Sequence, residues 1–336
     1  MSARVNIAGF GAVLVAACLS TGAAMAADDC KPQRIVASVD LVPSADGREL
    51  FVPVKINGTP KLMLLDTGAV MAEIMPGVAD ELHLTREKGN LELVDLGGQT
   101  SRDVVRAQVE LGGLTAAHMI MGVEPAVGHD HGVPGYAGLF GPDVLRNFDV
   151  DVDFGTNKLN LISPDHCPGK VIYWPASAVA VVPMRVLDSG HIVVPITLEG
   201  KQIFADLDTG APNTTLSVGV AQSDFGVVPG SADTPQGGTV GMMKGAPYYE
   251  HVFGTLAFEG IAVSNAHVDL ITDMTHDLRE EVSAPNFATR IRSATQDEAR
   301  WSMLIGMNIL RHFHLYISYK EEKLYVTPAG SPSAGH

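Results

Sequence analysis

Val52-Pro53-Val54-Lys55-Ile56-Asn57-Gly58-Thr59-Pro60-Lys61-Leu62-Met63-Leu64-Leu65-Asp66-Thr67-Gly68-Ala69 comes back later in the chain. Val194-Pro195-Ile196-Thr197-Leu198-Glu199-Gly200-Lys201-Gln202-Ile203-Phe204-Ala205-Asp206-Leu207-Asp208-Thr209-Gly210-Ala211 aligns with it without a gap. Each copy opens on Val-Pro, carries an acidic or amide residue before Gly, and ends on Leu-Asp-Thr-Gly-Ala. A single Asp-Thr-Gly arises easily by chance. Two at equivalent places in an internal repeat do not.

The repeat reaches further. Leu139-Phe140-Gly141-Pro142-Asp143-Val144-Leu145-Arg146-Asn147-Phe148 lines up with Leu304-Ile305-Gly306-Met307-Asn308-Ile309-Leu310-Arg311-His312-Phe313, and the same offset pairs Lys158-Leu159 with Lys323-Leu324. Self-similarity of this kind governs the reading of everything else. Two copies are too few for a solenoid and suit a duplicated lobe about a pseudo-twofold axis.

These paired Asp-Thr-Gly-Ala motifs, each followed by a hydrophobic-hydrophobic-Gly segment, resemble aspartic proteases of the pepsin and retropepsin type. The resemblance covers nearly all of the chain after its first residues, and is nearest to exported bacterial retropepsin-like proteases with two lobes in one polypeptide. It implies an all-β, bilobal pepsin-like fold: two retropepsin-like β lobes with few short helices. The expected organisation is residues 1–26 as a signal peptide, 30–163 and 184–329 as the two protease lobes, 164–183 as their linker, and 330–336 as a disordered tail. The longer interval between motifs in the second lobe points to an insertion near 273–302, charged and helical in character.

The resemblance also assigns roles. Asp66 and Asp208 are the catalytic pair. Two carboxylates held within a few ångströms cannot both ionise cheaply, so they share a proton over a wide pH range. The ionised member draws a proton from water while the protonated member polarises the scissile carbonyl. Thr67 and Thr209 fall where the family hydrogen-bonds across the lobes beneath the dyad. Gly68 and Gly210 fall where backbone N–H groups hold the carboxyls. Many relatives place Ser or Thr next, where a hydroxyl reaches the outer carboxylate oxygen; Ala69 and Ala211 stand here, as in many retroviral-type members. Fewer partners for those oxygens imply a less acidic optimum. Asp206 shares a strand face with Asp208 if the strand alternates, and is expected to meet solvent or a basic side chain rather than to perturb the dyad. Gly97-Gly98 and Gly237-Gly238 follow the two motifs at similar intervals and mark candidate flap hairpins, the competing reading being ordinary surface hairpins.

Composition agrees with this class. Asp and Glu number 38 against 23 Lys and Arg, with no basic patch for nucleic acid. Abundant glycine cuts the chain into short runs that read as strands and tight turns. Asn57-Gly58, flanked by alternating apolar residues, is a hairpin signal. Val171 to Trp174 reads as a strand crossing between lobes, and Asp149–Phe154 with Lys158–Ile162 as strands completing the first lobe.

The N-terminus reads as a targeting segment: Arg4, an apolar run from Val5 to Cys18, and the small-x-small site Ala24-Met25-Ala26. Export to a periplasm follows. Val15-Ala16-Ala17-Cys18 leaves a lipoprotein box open as the alternative, with Cys18 lipidated. No later stretch reaches the about 20 apolar residues of a membrane span. Cys30 and Cys167 remain after cleavage, and an even pair in an oxidising compartment suggests one disulfide. His129-Asp130-His131 lacks further ligands for a metal site, and no cofactor motif is present. Asp188-Ser189-Gly190-His191 has the residue types of a Ser-His pair, but neighbours in sequence rarely meet in triad geometry and no nucleophile elbow is present. A monomer with a complete site is expected, binding peptide extended in the inter-lobe cleft for limited processing of envelope proteins. The alternative is a catalytically silent peptide-binding or scaffolding module of the same fold.

Overall fold

A computed structural model describes residues 30–94, 99–125, 131–240, 245–272 and 301–330. The signal segment, most of the 273–302 insertion, the tail beyond 330, His129, Asp130 and the Gly97-Gly98 pair lie outside the described residues.

Each repeat folds into an eight-stranded sheet, and the strand orders correspond one to one. In the first lobe the order is Val42–Pro43, Leu50–Ile56, Thr59–Leu65, Tyr136–Phe140, Glu73–Ile74, Leu114–Val123, Thr100–Leu111, Glu87–Val94. In the second it is Arg185–Val186, Ile192–Leu198, Lys201–Leu207, Met303–Ile305, Thr215–Ser217, Ile261–Ile271, Ala246–Phe258, Gln236–Val240. Both sheets curl back on themselves, Leu50–Ile56 pairing with Thr100–Leu111 and Ile192–Leu198 with Ala246–Phe258. The expected fold of two all-β lobes is present.

Local chemistry explains the opening hairpins. Asn57 and Gly58 both have positive φ (47° and 81°), as do Glu199 and Gly200 (48° and 78°). Two left-handed residues in a two-residue turn match the twist of the flanking strands. The strand that leaves each turn buries its last residues: Met63, Leu64 and Leu65 in the first lobe, Ala205, Asp206 and Leu207 in the second. Beside each lies a parallel partner, Tyr136–Phe140 or Met303–Ile305, which ends at the closing glycine.

The third sheet corrects one expectation. Asp149–Asp153 and Lys158–Ile162 do not complete the first lobe; they join a six-stranded sheet shared by both halves. Its order is Ile35–Asp40, Lys158–Ile162, Asp149–Asp153, Phe313–Ser318, Lys323–Pro328, Ala180–Pro183, and the lobes meet where Asp149–Asp153 pairs with Phe313–Ser318. Asp149 is fully buried there. Its Oδ2 accepts from Ser318 Oγ at 2.9 Å and Tyr316 OH at 3.1 Å, and lies 2.6 Å from His166 Nε2. Asp151 pairs with His314 and accepts from Asn160 Nδ2 at 2.9 Å. Hydrogen bonds on this scale are what make a buried carboxylate tolerable.

The connecting segment covers this sheet. Val171–Trp174 is not a strand; it docks through its side chains and through Val171 O, which accepts from Gln33 Nε2 at 3.0 Å. Val171 is buried, Trp174 stacks on His314 with ring centroids 3.8 Å apart, and Trp174 Nε1 donates to Thr327 Oγ1. Cys30 and Cys167 form the expected disulfide, their Cα atoms 4.7 Å apart, tying the first described residue to this segment.

Candidate active site

The two Asp-Thr-Gly loops meet at the lobe boundary. Asp66 N–H donates to Phe140 O at 3.2 Å, and Asp208 N–H donates to Ile305 O at 3.0 Å, so each aspartate is anchored to its parallel neighbour strand. Beneath each loop the closing glycine passes at van der Waals range. A Cβ on Gly141 would lie 2.3 Å from Met71 C, and one on Gly306 2.4 Å from Asn213 O. The residue two past each closing glycine then braces the loop: Asp143 Oδ1 accepts from Ala72 N–H at 2.6 Å, and Asn308 Oδ1 from Thr214 N–H at 2.8 Å.

The threonines interlock across the boundary. Thr67 N–H donates to Thr209 Oγ1 and Thr209 N–H to Thr67 Oγ1, both at 3.1 Å. Thr67 Oγ1 donates to Leu207 O at 2.6 Å, and Thr209 Oγ1 to Leu65 O at 2.7 Å. Both side chains are buried. Four bonds therefore fix the two loops relative to each other.

Above this grip the carboxyls face one another. Asp66 Oδ1 accepts from the N–H groups of Gly68 and Ala69, both at 2.9 Å. Asp208 Oδ1 accepts from Gly210 at 2.8 Å and Ala211 at 3.1 Å. A Cβ on Gly68 would lie 2.4 Å from Asp208 Cγ, and one on Gly210 2.4 Å from Asp66 Cγ. Glycine is thus required by close approach to the opposite carboxyl. The two carboxyls are near enough to shift one another's ionisation. Burial, and then the charge of Asp208, raise Asp66 above the ordinary range. Burial, and then the charge of Asp206, raise Asp208, against the pull of its amide bonds. Such a pair holds one proton between two oxygens and a second oxygen pair that accepts one, the arrangement needed to take a proton and give one in the same step.

Several neighbours were not legible in the repeat. Glu73, on the short strand after the first loop, is pushed up to about 8 by burial and then by the charges of Glu124, Asp66 and Asp143. Burial pushes Glu124 up to about 7. Neither is marked by the repeat, and the equivalent of Glu73 in the second lobe is Thr215. Asp206 meets a basic side chain and not solvent: its Oδ2 lies 2.8 Å from His191 Nδ1, and the residue is 1% exposed. His191 Nδ1 is therefore committed to Asp206.

Both candidate flap hairpins are present as paired strands. In the first lobe the hairpin Glu87–Val94 and Thr100–Leu111 is present, and Gly97 and Gly98 lie outside the described residues. In the second, Gly237 and Gly238 are not at a hairpin tip. They sit inside Gln236–Val240, paired with Ala246–Phe258, at an irregularity in register under the Tyr248 ring. A Cβ on Gly237 would be 2.4 Å from Tyr248 Cε2. Strand glycines mark bulges and close approaches as readily as turns. His131, from the suggested metal motif, instead lies 2.8 Å from Glu49 Oε1 and packs edge-on to Phe51 and Tyr136. Among the described residues no group of three His, Cys, Asp or Glu side chains is arranged to hold a metal ion, and no helix is long and apolar enough to cross a membrane.

Residues 52–143 match the family model described as aspartyl protease. Curated protein sequences give no match. Among solved structures, the aspartic proteinase from Irpex lacteus aligns at 14% identity over 89% of this chain and 98% of its own, with a TM-score of 0.48. Basic 7S globulin from soybean aligns at 10% identity over 91% of this chain and 97% of its own, also at 0.48. With the family match in the first lobe and the same motif repeated opposite it in the second, the chain resembles an aspartic protease of the pepsin and retropepsin type.

Proposed function

We propose that this protein is an aspartic endopeptidase in which Asp66 and Asp208 activate water. The observation that supports it best is the meeting of two Asp-Thr-Gly loops, one from each lobe, with their carboxyls facing one another above a shared threonine grip. The ionised carboxylate takes a proton from water as the water oxygen bonds to the scissile carbonyl carbon. The protonated carboxyl gives its proton to the carbonyl oxygen. The resulting diol collapses, the C–N bond breaks, and the leaving nitrogen takes up a proton from the dyad. No covalent enzyme intermediate forms.

Peptide lies extended in the cleft between lobes, its backbone pairing with the hairpin strands above the dyad. Both aspartates belong to one chain, so a monomer suffices. The disulfide and the N-terminal segment favour export to an oxidising compartment such as the periplasm, and the working substrate class is envelope proteins cut at limited sites. Cleavage of a diverse peptide library across pH 3 to 8, by wild type beside Asp66→Asn and Asp208→Asn, tests the reading. Wild-type cutting with both variants silent is the expected result. A variant that still cuts overturns the mechanism, and tight peptide binding without cleavage by wild type replaces it with the silent binding module.

A further inference from the structure

The two lobes repeat one another closely around the dyad, and differ sharply at one position. Two residues before Asp66 stands Leu64, packed with Phe51 and Tyr136 in a small apolar cluster. Two residues before Asp208 stands Asp206. Side chains two apart on a strand share a face, so Asp206 lies on the same side as the catalytic carboxyl. It is 1% exposed, its Oδ2 is held by His191, and its Oδ1 is buried without a hydrogen-bond partner. A carboxylate in this condition is costly, and nothing in the fold demands it, since the other lobe places a leucine there.

His191 is itself placed with care. It follows Gly190, whose φ of 97° turns the chain and whose Cβ position would lie 2.7 Å from Pro142 Cγ of the opposite lobe. Its ring lies against Trp301, centroids 5.3 Å apart. The position equivalent to His191 in the first lobe is Glu49, which pairs with His131. The charged groups around Asp206 are few. His191 comes from the start of the neighbouring strand, Asp208 from its own, and Asp66 from the opposite lobe within electrostatic reach of His191. Arg185, on the outer strand, faces the same side across Val193, with its guanidinium over the Phe204 ring. Asp188 precedes the turn. Leu304, opposite Asp206 on the parallel strand, is apolar.

We propose that Asp206 and His191 are positioning residues for the dyad: His191 keeps Asp206 ionised, and the buried negative charge of Asp206 makes Asp208 harder to ionise. This rests on the aspartic protease reading above and adds an asymmetry to it. Burial raises Asp206 itself, with the His191 bond and charge pulling against it, and burial with the Asp206 charge raises Asp208. At His191 burial pulls downward but the hydrogen bond and charge of Asp206 win and raise it. The consequence is a dyad that enters its one-proton state at a higher pH than two bare carboxyls of the same geometry.

The test is the pH profile of kcat/KM for wild type, Asp206→Asn, Asp206→Leu and His191→Gln, with the aspartate 13Cγ titration of each followed by NMR. Removing the Asp206 charge is expected to move the acid limb, and the first dyad titration, to lower pH by about half a unit or more. His191→Gln is expected to move them the same way, because Asp206 without its cation takes up a proton. In wild type, the 15N shifts of His191 are expected to show both ring nitrogens protonated where the dyad holds one proton. Superimposable limbs in the Asp206 variants, a shift to higher pH in His191→Gln, or a neutral wild-type ring there each overturn the proposal. The NMR readouts need neither turnover nor, for the ring, any variant. If Asp66→Asn or Asp208→Asn still cuts, the protease mechanism fails; if those are silent and the Asp206 limbs do not move, only this inference fails.

Discussion

A methyl group at Gly68 or Gly210 would have to occupy space already filled by the facing carboxyl, at 2.4 Å from its Cγ in either case. Neither lobe can yield, because the threonine grip fixes both loops. Gly68→Ala is therefore expected to push the carboxyls apart and lower kcat by about 100-fold or more while the protein stays folded, as a misplacement near 1 Å does elsewhere; kcat and a melting curve on the same sample check it. Glu73 gives a second prediction. Its value rises from 4.5 unfolded to about 8 folded. A carboxyl raised on folding stabilises the native state below its unfolded value and loses that contribution as pH climbs through the folded one. Melting temperature is thus expected to fall between about pH 5 and pH 8, and Glu73→Gln to flatten that slope. A slope unchanged by Glu73→Gln would remove Glu73 from the account. At this scale the motif residues were legible because each is spelled twice. Glu73, Glu124 and His191 were not, since what matters about them is a neighbour brought from another part of the chain.

Strands were legible from alternation and the Asn57-Gly58 turn, and the lobes from the repeat. What failed were elements whose backbone pattern has two physical readings. The second-lobe hairpin is present, but its Gly237-Gly238 pair falls within a strand at a register irregularity. Val171–Trp174 has a strand's composition, yet its partners are side chains of the sheet beneath, so no ladder forms. The strands at 149–162 carry no mark of which lobe they serve. The disulfide was foreseen from compartment and parity, and its worth follows from the sequence separation of 137 that it spans. Closing so long a loop restricts the unfolded chain, so Cys30→Ser with Cys167→Ser is expected to lower unfolding stability by about 2–5 kcal/mol. Reductant should lower wild type toward the double variant and leave the variant unchanged; a double variant as stable as wild type would show the bond to be idle.

For the molecule as a whole, the pH dependence of activity joins these features. Both dyad carboxyls are raised by burial, Asp208 has a negative neighbour, and Ala69 and Ala211 offer no hydroxyl to the outer oxygens. The rate is expected to peak on the weakly acidic to neutral side, and a pH–rate profile with its maximum near pH 3 would contradict that. The path of the chain carries a different consequence, one of timing. Asp208 is anchored by Ile305, its loop is braced by Asn308, and the sheet that joins the lobes takes in Phe313–Ser318 and Lys323–Pro328. A ribosome that has made Asp66, Asp208 and the threonines linking their loops has still not made the strand that anchors Asp208 or the sheet that joins the lobes. Chains halted before Met303 should be inert toward any peptide the finished protein cuts, which release of stalled translation products into a cleavage assay would show. Synthesis order thus delays assembly of the site until the last strands are in place.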